Sequence, residues 1–282
     1  MIDDPFGPLV AIGGAEDKSS DARILRKVLS LAPAAPATVG VITTASSIPD
    51  DVFAGYHSAF LDIGAREVLD VRIRERADAE SAEFVSMIRR SDVVFLSGGD
   101  QMRLTNILGA SAALETIRER RAQGAVVVGT SAGAACQAST MIYGGPADDS
   151  LRKGAVKMSA GFGFVQGVII DTHFLERGRF SRLMEAGATN PEYLGIGLGE
   201  DAAVLFTAGA IHVFGPGHVV VVDSSEITGS NVFELADGEA VSVHNVKMHA
   251  LVDGYGFSLK SRRVLGPEEV DTESREQPIA YN

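Results

Sequence analysis

From Pro8 to Gly133 the sequence alternates between short apolar runs and amphipathic stretches, and almost every apolar run ends in small residues. The runs are PLVAIGG (Pro8–Gly14), ATVGVITTAS (Ala37–Ser46), REVLDVRI (Arg66–Ile73), DVVFLSGGDQ (Asp92–Gln101) and AVVVGTSAG (Ala125–Gly133). Each is too short for a helix, and four of them are rich in branched residues, so each is read as a strand. Between them, DARILRKVLSLA (Asp21–Ala32) carries helical apolar spacing at Ile24, Leu25, Val28, Leu29 and Leu31. PDDVFAGYHSAFLDIG (Pro49–Gly64) has proline and acids at its start and glycine at its end, the punctuation of a helix. Further helices are expected over Asp78–Asp92, Met102–Leu108 and Ser111–Gly124, the last with arginines near its C-terminal end where the helix dipole favours them.

Strands that alternate with helices in this way run parallel and need cover on both faces. The expected fold is therefore α/β, a mostly parallel doubly wound sheet with helices on both faces. With 45% hydrophobic residues but only 6% aromatic and no tryptophan, branched aliphatics must fill the core, as buried parallel strands require. Ligands of such sheets bind beyond the carboxyl ends of the strands. The endings IGGAED, ITTASS, LSGGDQ and GTSAG would lie along that edge.

The second half reads differently. Met141–Gly161 is loop-like. Phe164–Gly187 gives a strand, a polar turn and a helix from about Gly178. Asn190–Ser225 is dominated by strands with Gly and Gly-Pro turns, expected as antiparallel strands added to the sheet edge in the C-terminal third. Apolar periodicity fades from Ser261. Residues 1–260 are read as a single catalytic α/β domain and 261–282 as a polar C-terminal tail.

A formal net charge of −12 argues against nucleic acid as a partner, which draws on clustered Lys and Arg. The first twenty residues carry early acids and no basic segment, and no stretch approaches the length of about 18 apolar residues that would suggest a membrane span. A soluble, cytoplasmic protein without a membrane partner is expected. The lone Cys136 excludes an internal disulfide and reads as a small buried residue. No histidine pair has metal-ligand spacing, and no Walker or G-x-G-x-x-G pattern follows the glycine-rich loops, so neither a metal nor a nucleotide cofactor is expected.

Gly129-Thr130-Ser131-Ala132-Gly133 fits G-x-S-x-G. A sharp strand-to-helix turn strains its central residue and tolerates only small neighbours, which leaves Ser131 Oγ exposed at the sheet edge beside a free backbone N–H. A nucleophilic serine needs a base and a group to orient it. Of the six histidines, His173 is placed best, after the strand GVIID and beside Asp171, Arg177, Arg179 and Arg182; Glu200 follows another short apolar strand. A hydrolase order of serine, acid, histidine would instead use Asp201 or Asp223 with His244 or His249. The absence of an HGGG-type loop, and a glycine pair at Gly98-Gly99 late in the sheet, favour Ser131, His173 and Glu200.

Four segments, FLSGGDQ, GTSAGA, DTHFLERGRFSRL and GIGLGEDAAV, together resemble the cyanophycinase family of serine peptidases, over roughly Leu9–Val220. That family is similar in fold to the class I glutamine amidotransferases and related to peptidase E. The resemblance implies Ser131 as nucleophile, His173 as base, Glu200 as its orienter, and oxyanion and substrate contacts from Gly98–Gln101. The backbone N–H groups of Gly99 and Ala132 would hold the oxyanion. It implies cleavage of cyanophycin, a poly-aspartate with arginine on each side chain, to β-Asp-Arg, and a homodimer, since family members are often dimers. Asp100, Gln101, Asp171, Thr172, Arg177, Arg179 and Arg182 are the expected substrate contacts, with the arginines facing carboxylates and Asp171, Glu16 or Asp17 facing guanidinium groups. Thr172 departs from the family's Gln and cannot make an amide's contacts. Two alternatives stay open, an aspartyl or isoaspartyl dipeptidase of the peptidase E type and a non-catalytic amidotransferase-like binding protein.

Overall fold

A computed structural model describes residues 6–146 and 151–270. The expected alternation is present. Strands β1 (Leu9–Ile12), β2 (Thr38–Ile42), β3 (Glu67–Asp70), β4 (Val93–Leu96) and β5 (Val126–Thr130) are interleaved with helices α1 (Arg23–Ser30), α2 (Pro49–Asp62), α3 (Ala82–Arg90), α4 (Gln101–Leu108) and α5 (Ala112–Ala122). Asp78–Glu80 is a separate 3-10 turn ahead of α3. After β5 come the short α6 (Ala132–Ala135), β6 (Thr140–Gly144), β7 (Lys157–Ala160), β8 (Val168–Thr172) and α7 (Phe180–Thr189). The chain continues through β9 (Leu194–Leu198), β10 (Ala203–Thr207), β11 (Ala210–Phe214), β12 (Val219–Asp223), β13 (Gly229–Ser230), β14 (Val243–His244), β15 (Lys247–Leu251), β16 (Gly256–Ser258) and β17 (Arg263–Leu265).

The large sheet has nine strands in the order β17-β16-β11-β10-β1-β5-β4-β2-β3. The block β1, β5, β4, β2, β3 is parallel, and β10, β11, β16 and β17 extend it antiparallel from β1. Strand alternation sorts its side chains. Val10, Ile12, Val93, Phe95, Val126 and Val128 pack under α1 and α2, while Leu9, Ala11, Val94, Leu96 and Val127 face α3–α6. The three valines of β5 are fully buried, each contributing roughly 1.5–3 kcal/mol relative to exposure.

Not every late strand joins that sheet. β8, β9, β12 and β15 form a second, four-stranded sheet in the order β15-β12-β9-β8, parallel only between β8 and β9. Val168, Ile170, Leu194, Ile196, Leu198, Val219 and Val221 pack it against the large sheet beside α3–α6, while Ile169, Val220 and Val222 face α7. The unbroken VVVVD run of β12 is buried on both sides for this reason.

Two stretches differ from the sequence reading. The sequence of Met141–Gly161 reads as a loop, but β6 and β7 pair antiparallel, because Met141 and Ile142 bury their side chains and the ladder tolerates an irregularity between Ile142 and Gly144. Within the expected tail, Arg263–Leu265 pairs with β16 as the outermost strand of the large sheet, anchored by buried Leu265. Residues 267–270 are helical as well, and the last part of the tail reading, 271–282, lies outside the described residues.

Candidate active site

Ser131 follows β5 directly, with φ 52° and ψ −114°, a conformation that L residues rarely adopt. The glycines around it are sterically required. A Cβ on Gly129 would come within 2.2 Å of Gly133 O, and one on Gly133 within 2.2 Å of Leu96 O. This turn closes only if the residues two before and two after the serine lack side chains of their own.

The structure brings together the three residues named from separate strand ends. Ser131 Oγ lies 3.0 Å from His173 Nε2, and His173 Nδ1 lies 2.7 Å from Glu200 Oε1. With a carboxylate facing Nδ1, that nitrogen carries the proton and Nε2 is left to accept from the serine hydroxyl. The imidazole is largely shielded, its side chain 13% exposed, whereas Glu200 is 39% exposed and stays in contact with water.

The end of β1 holds this arrangement. Three successive carbonyls each accept a backbone N–H from the site: Ile12 O from Ser131, Gly13 O from His173 and Gly14 O from Asp201, each at 2.9 Å. The large and second sheets are thereby joined at the point where the three side chains meet. Left-handed backbone collects there too, at Ala15 (φ 51°), Ser131 (52°), His173 (48°) and Asp201 (49°). Each such residue costs about 1–3 kcal/mol and persists only where its surroundings enforce it. Gly14, itself at φ 108°, packs on the face of the imidazole. The sequence reading put IGGAED on this edge but missed Gly14 as a neighbour of His173; the glycine pair was the available signal.

For the oxyanion, Gly98 packs on Ser131, and Gly99 (φ 142°) turns tightly against Ala45 O. As the first residue of α6, Ala132 has no helical carbonyl for its N–H.

The expected substrate contacts divide. Asp171 is buried, with Oδ1 3.2 Å from Arg179 Nη1 and Oδ2 3.1 Å from Arg182 Nε, and it accepts from Thr172 N at 3.0 Å. Burial pushes the Asp171 carboxyl up, against the opposing pull of Arg182 and Arg179. Arg182 is buried as well, and Arg179 also donates to Thr172 O at 2.7 Å. Asp171 and Arg182, expected as substrate contacts, thus form a buried ion pair between β8 and α7. Thr172 is likewise interior, 5% exposed on the β8 face shared with Val168 and Ile170. Arg177 is exposed next to this cluster.

At the other strand end, Asp100 Oδ1 caps α4 by accepting from Met102 N and Arg103 N, and Gln101 Nε2 donates to Ile142 O at 3.0 Å. Both side chains are committed within the fold, although Asp100 remains exposed. Glu16 and Asp17, considered for guanidinium binding, are also committed. Glu16 is buried, and Asp17 accepts from the Ser20 hydroxyl and from the Ser19, Ala22 and Ser20 N–H groups, which in that order hold its carboxyl far below the usual range.

The alternative triad residues have other partners. Asp223 pairs with Arg262 at 2.8 Å, His244 contacts Ser242, His249 packs on Phe257, and Asp201 accepts from Asp17 N. A cavity of about 340 Å³ between α1 and β10–β11, lined by Arg23, Lys27, His212 and Asp253 among others, contains none of the site residues.

Known proteins resemble this chain in sequence and in fold. The model of peptidase family S51 matches residues 9–214. Cyanophycinase from Synechococcus elongatus is 36% identical over 260 residues, covering 92% of this chain and 81% of the relative. Cyanophycinase from Nostoc sp. (strain PCC 7120 / SAG 25.82 / UTEX 2576) is 38% identical over 259 residues, covering 91% and 87%. The crystal structure of a peptidase from an acI-B1 Actinobacterium superposes with a TM-score of 0.67, covering 90% of this chain and 97% of that one; at 18% identity it speaks to the fold alone. Matched by the family model over most of its length and related at this level to two cyanophycinases, the chain belongs to peptidase family S51.

Proposed function

We propose that this protein is a serine-type exopeptidase that hydrolyses cyanophycin to β-Asp-Arg dipeptides through an acyl-enzyme. The observation that carries the reading is the continuous hydrogen-bonded chain Ser131–His173–Glu200 at the sheet edge, in a family whose matched relatives are cyanophycinases.

Ser131 Oγ attacks the aspartyl carbonyl as His173 Nε2 takes its proton. Glu200 keeps the imidazole in the required tautomer and stabilises the imidazolium. The N–H groups of Gly99 and Ala132 receive the oxyanion, where one well-aimed donor is worth on the order of 10²–10³ in rate. His173 passes the proton to the leaving amine, and water, activated by the same nitrogen, frees the acyl group and restores Ser131.

The substrate presents carboxylates and guanidinium groups together. Arg177, exposed beside the catalytic histidine, is the arginine best placed to meet a carboxylate. The exposed Asp100 carboxylate, which caps α4 just after β4, is the acid offered to a guanidinium group. A homodimer in the cytoplasm completes the reading; the dimer rests on the family resemblance, and a sedimentation measurement decides it.

A fluorophosphonate probe tests the nucleophile without assuming a substrate. The label is expected on Ser131 alone. Failure of the intact protein to take it would return the chain to the class of non-catalytic binding proteins.

A further inference from the structure

Behind the nucleophile lies a charged group that the catalytic scheme does not use. Glu16 is 3% exposed, four residues beyond β1. Its Oε2 accepts from Thr130 Oγ1 at 2.7 Å, and Thr130 immediately precedes Ser131. Its Oε1 accepts a short hydrogen bond from Tyr56 Oη on α2, and Lys18 Nζ lies 3.8 Å away, over the Tyr56 ring. A buried carboxylate is tolerated when donors surround it. Here two hydroxyls and an ammonium do so, and the hydroxyls come from different elements.

Between Ile12 and Glu16 lie the contacts that fix the site: the three carbonyls that hold Ser131, His173 and Asp201, and the Gly14 surface under the imidazole. This segment is backbone-strained at Ala15 and has no regular structure of its own after Ile12, so something must pin its far end. Tyr56, wedged 4.5 Å from the Phe95 ring, gives Glu16 a rigid anchor in the α2 layer. Burial, and then the Glu16 charge, push the Tyr56 phenol well above its ordinary range, so it remains a donor.

We propose that Glu16 is a positioning residue: by accepting from Tyr56 and Thr130 it fixes the Ile12–Glu16 segment and so sets where Ser131 and His173 stand relative to one another. The inference rests on the reading of Ser131 as nucleophile. Glu16 touches none of the reacting groups and acts only through Thr130 and the backbone between Gly13 and Ala15.

The test is Thr130→Val, which keeps the shape of the side chain and removes the donor, with Thr130→Ser as the conservative partner. Activity on cyanophycin is expressed per fluorophosphonate-titrated serine, so that a loss of folded protein does not enter the rate. Thr130→Val is expected to lower kcat about ten- to a hundredfold, the scale of a misplacement of about 1 Å, with KM within about twofold. The rate of fluorophosphonate labelling should fall in parallel, and Thr130→Ser should restore both to within about threefold. Tyr56→Phe, which keeps the ring packed on Phe95, carries the same expectation and decides the matter should Thr130→Val fail to fold. Parent kcat and parent labelling rate in these variants would overturn the positioning role while leaving the nucleophile intact. Activity that survives in Ser131→Ala would instead overturn the catalytic reading, whatever the Thr130 variants do.

Discussion

Gly14 and His173 are in such close contact that a side chain cannot fit between them. A Cβ on Gly14 would sit 2.4 Å from Cε1 and 2.5 Å from Nε2 of the imidazole. The contact joins the end of β1 in one sheet to the end of β8 in the other. The nitrogen that must face Ser131 Oγ is thus backed by a surface that only glycine provides.

Gly14→Ala should therefore move the imidazole, and its φ of 108° adds backbone strain. The expected result is a fall in kcat of about a hundredfold with little change in KM, and a stability loss of at least about 1 kcal/mol. Steady-state kinetics and denaturant unfolding of the same preparation check both. An alanine variant with parent kcat would mean that His173 does not need this contact.

Glu200→Gln tests the orienting carboxylate. It keeps the size of the side chain but removes the charge that stabilises the imidazolium. Because Glu200 is partly solvated, the expected loss in kcat is on the order of 10²–10⁴, with Ser131 still labelled, more slowly, by a fluorophosphonate.

The arginines after His173 should separate by role. Arg182→Met leaves Asp171 short of a partner in the interior, and should cost about 3–5 kcal/mol in denaturant unfolding. Arg177→Ala should change stability by no more than about 0.5 kcal/mol and raise KM about tenfold on cyanophycin. The opposite pattern would reassign the carboxylate contact to Arg182.

Much of this arrangement could be read in the chain before its structure. The parallel block was legible because its strands are apolar runs closed by small residues, and Ser131, His173 and Glu200 because each follows such a run. The second sheet was not. VVVVD announces burial on both faces, but nothing in it says whether helices or another sheet supply the cover. The fate of Asp171 and Arg182 was hidden for a related reason: spacing placed the arginines on one helix, but not which way that helix turns beneath β8. The β6–β7 pair was short and glycine-rich enough to pass for a loop.

Glu185 gives a pH signature for the α7 layer. It is buried, with Oε1 3.2 Å from Gly154 N and no hydrogen-bond partner for Oε2 among the described residues. Burial raises its carboxyl above the usual range, only partly offset by the Gly154 N–H. A raised acid stabilises the fold fully below its unfolded value, about 4.3, and loses that contribution as pH rises through its folded value. The stability of the parent relative to Glu185→Gln should accordingly decline as pH is raised from about 4 to 7, measured by unfolding at each pH. A flat difference would mean that Glu185 titrates as it does in the unfolded chain.

The central claim is that Ser131 opens cyanophycin. Purified parent and Ser131→Ala protein are incubated with the insoluble polymer, and soluble products are quantified by mass spectrometry. The parent is expected to release β-Asp-Arg, and Ser131→Ala to release it at least about a thousandfold more slowly. Release by Ser131→Ala at the parent rate, or a parent whose serine is labelled but which yields only Asp-X dipeptide cleavage and no β-Asp-Arg, would contradict it.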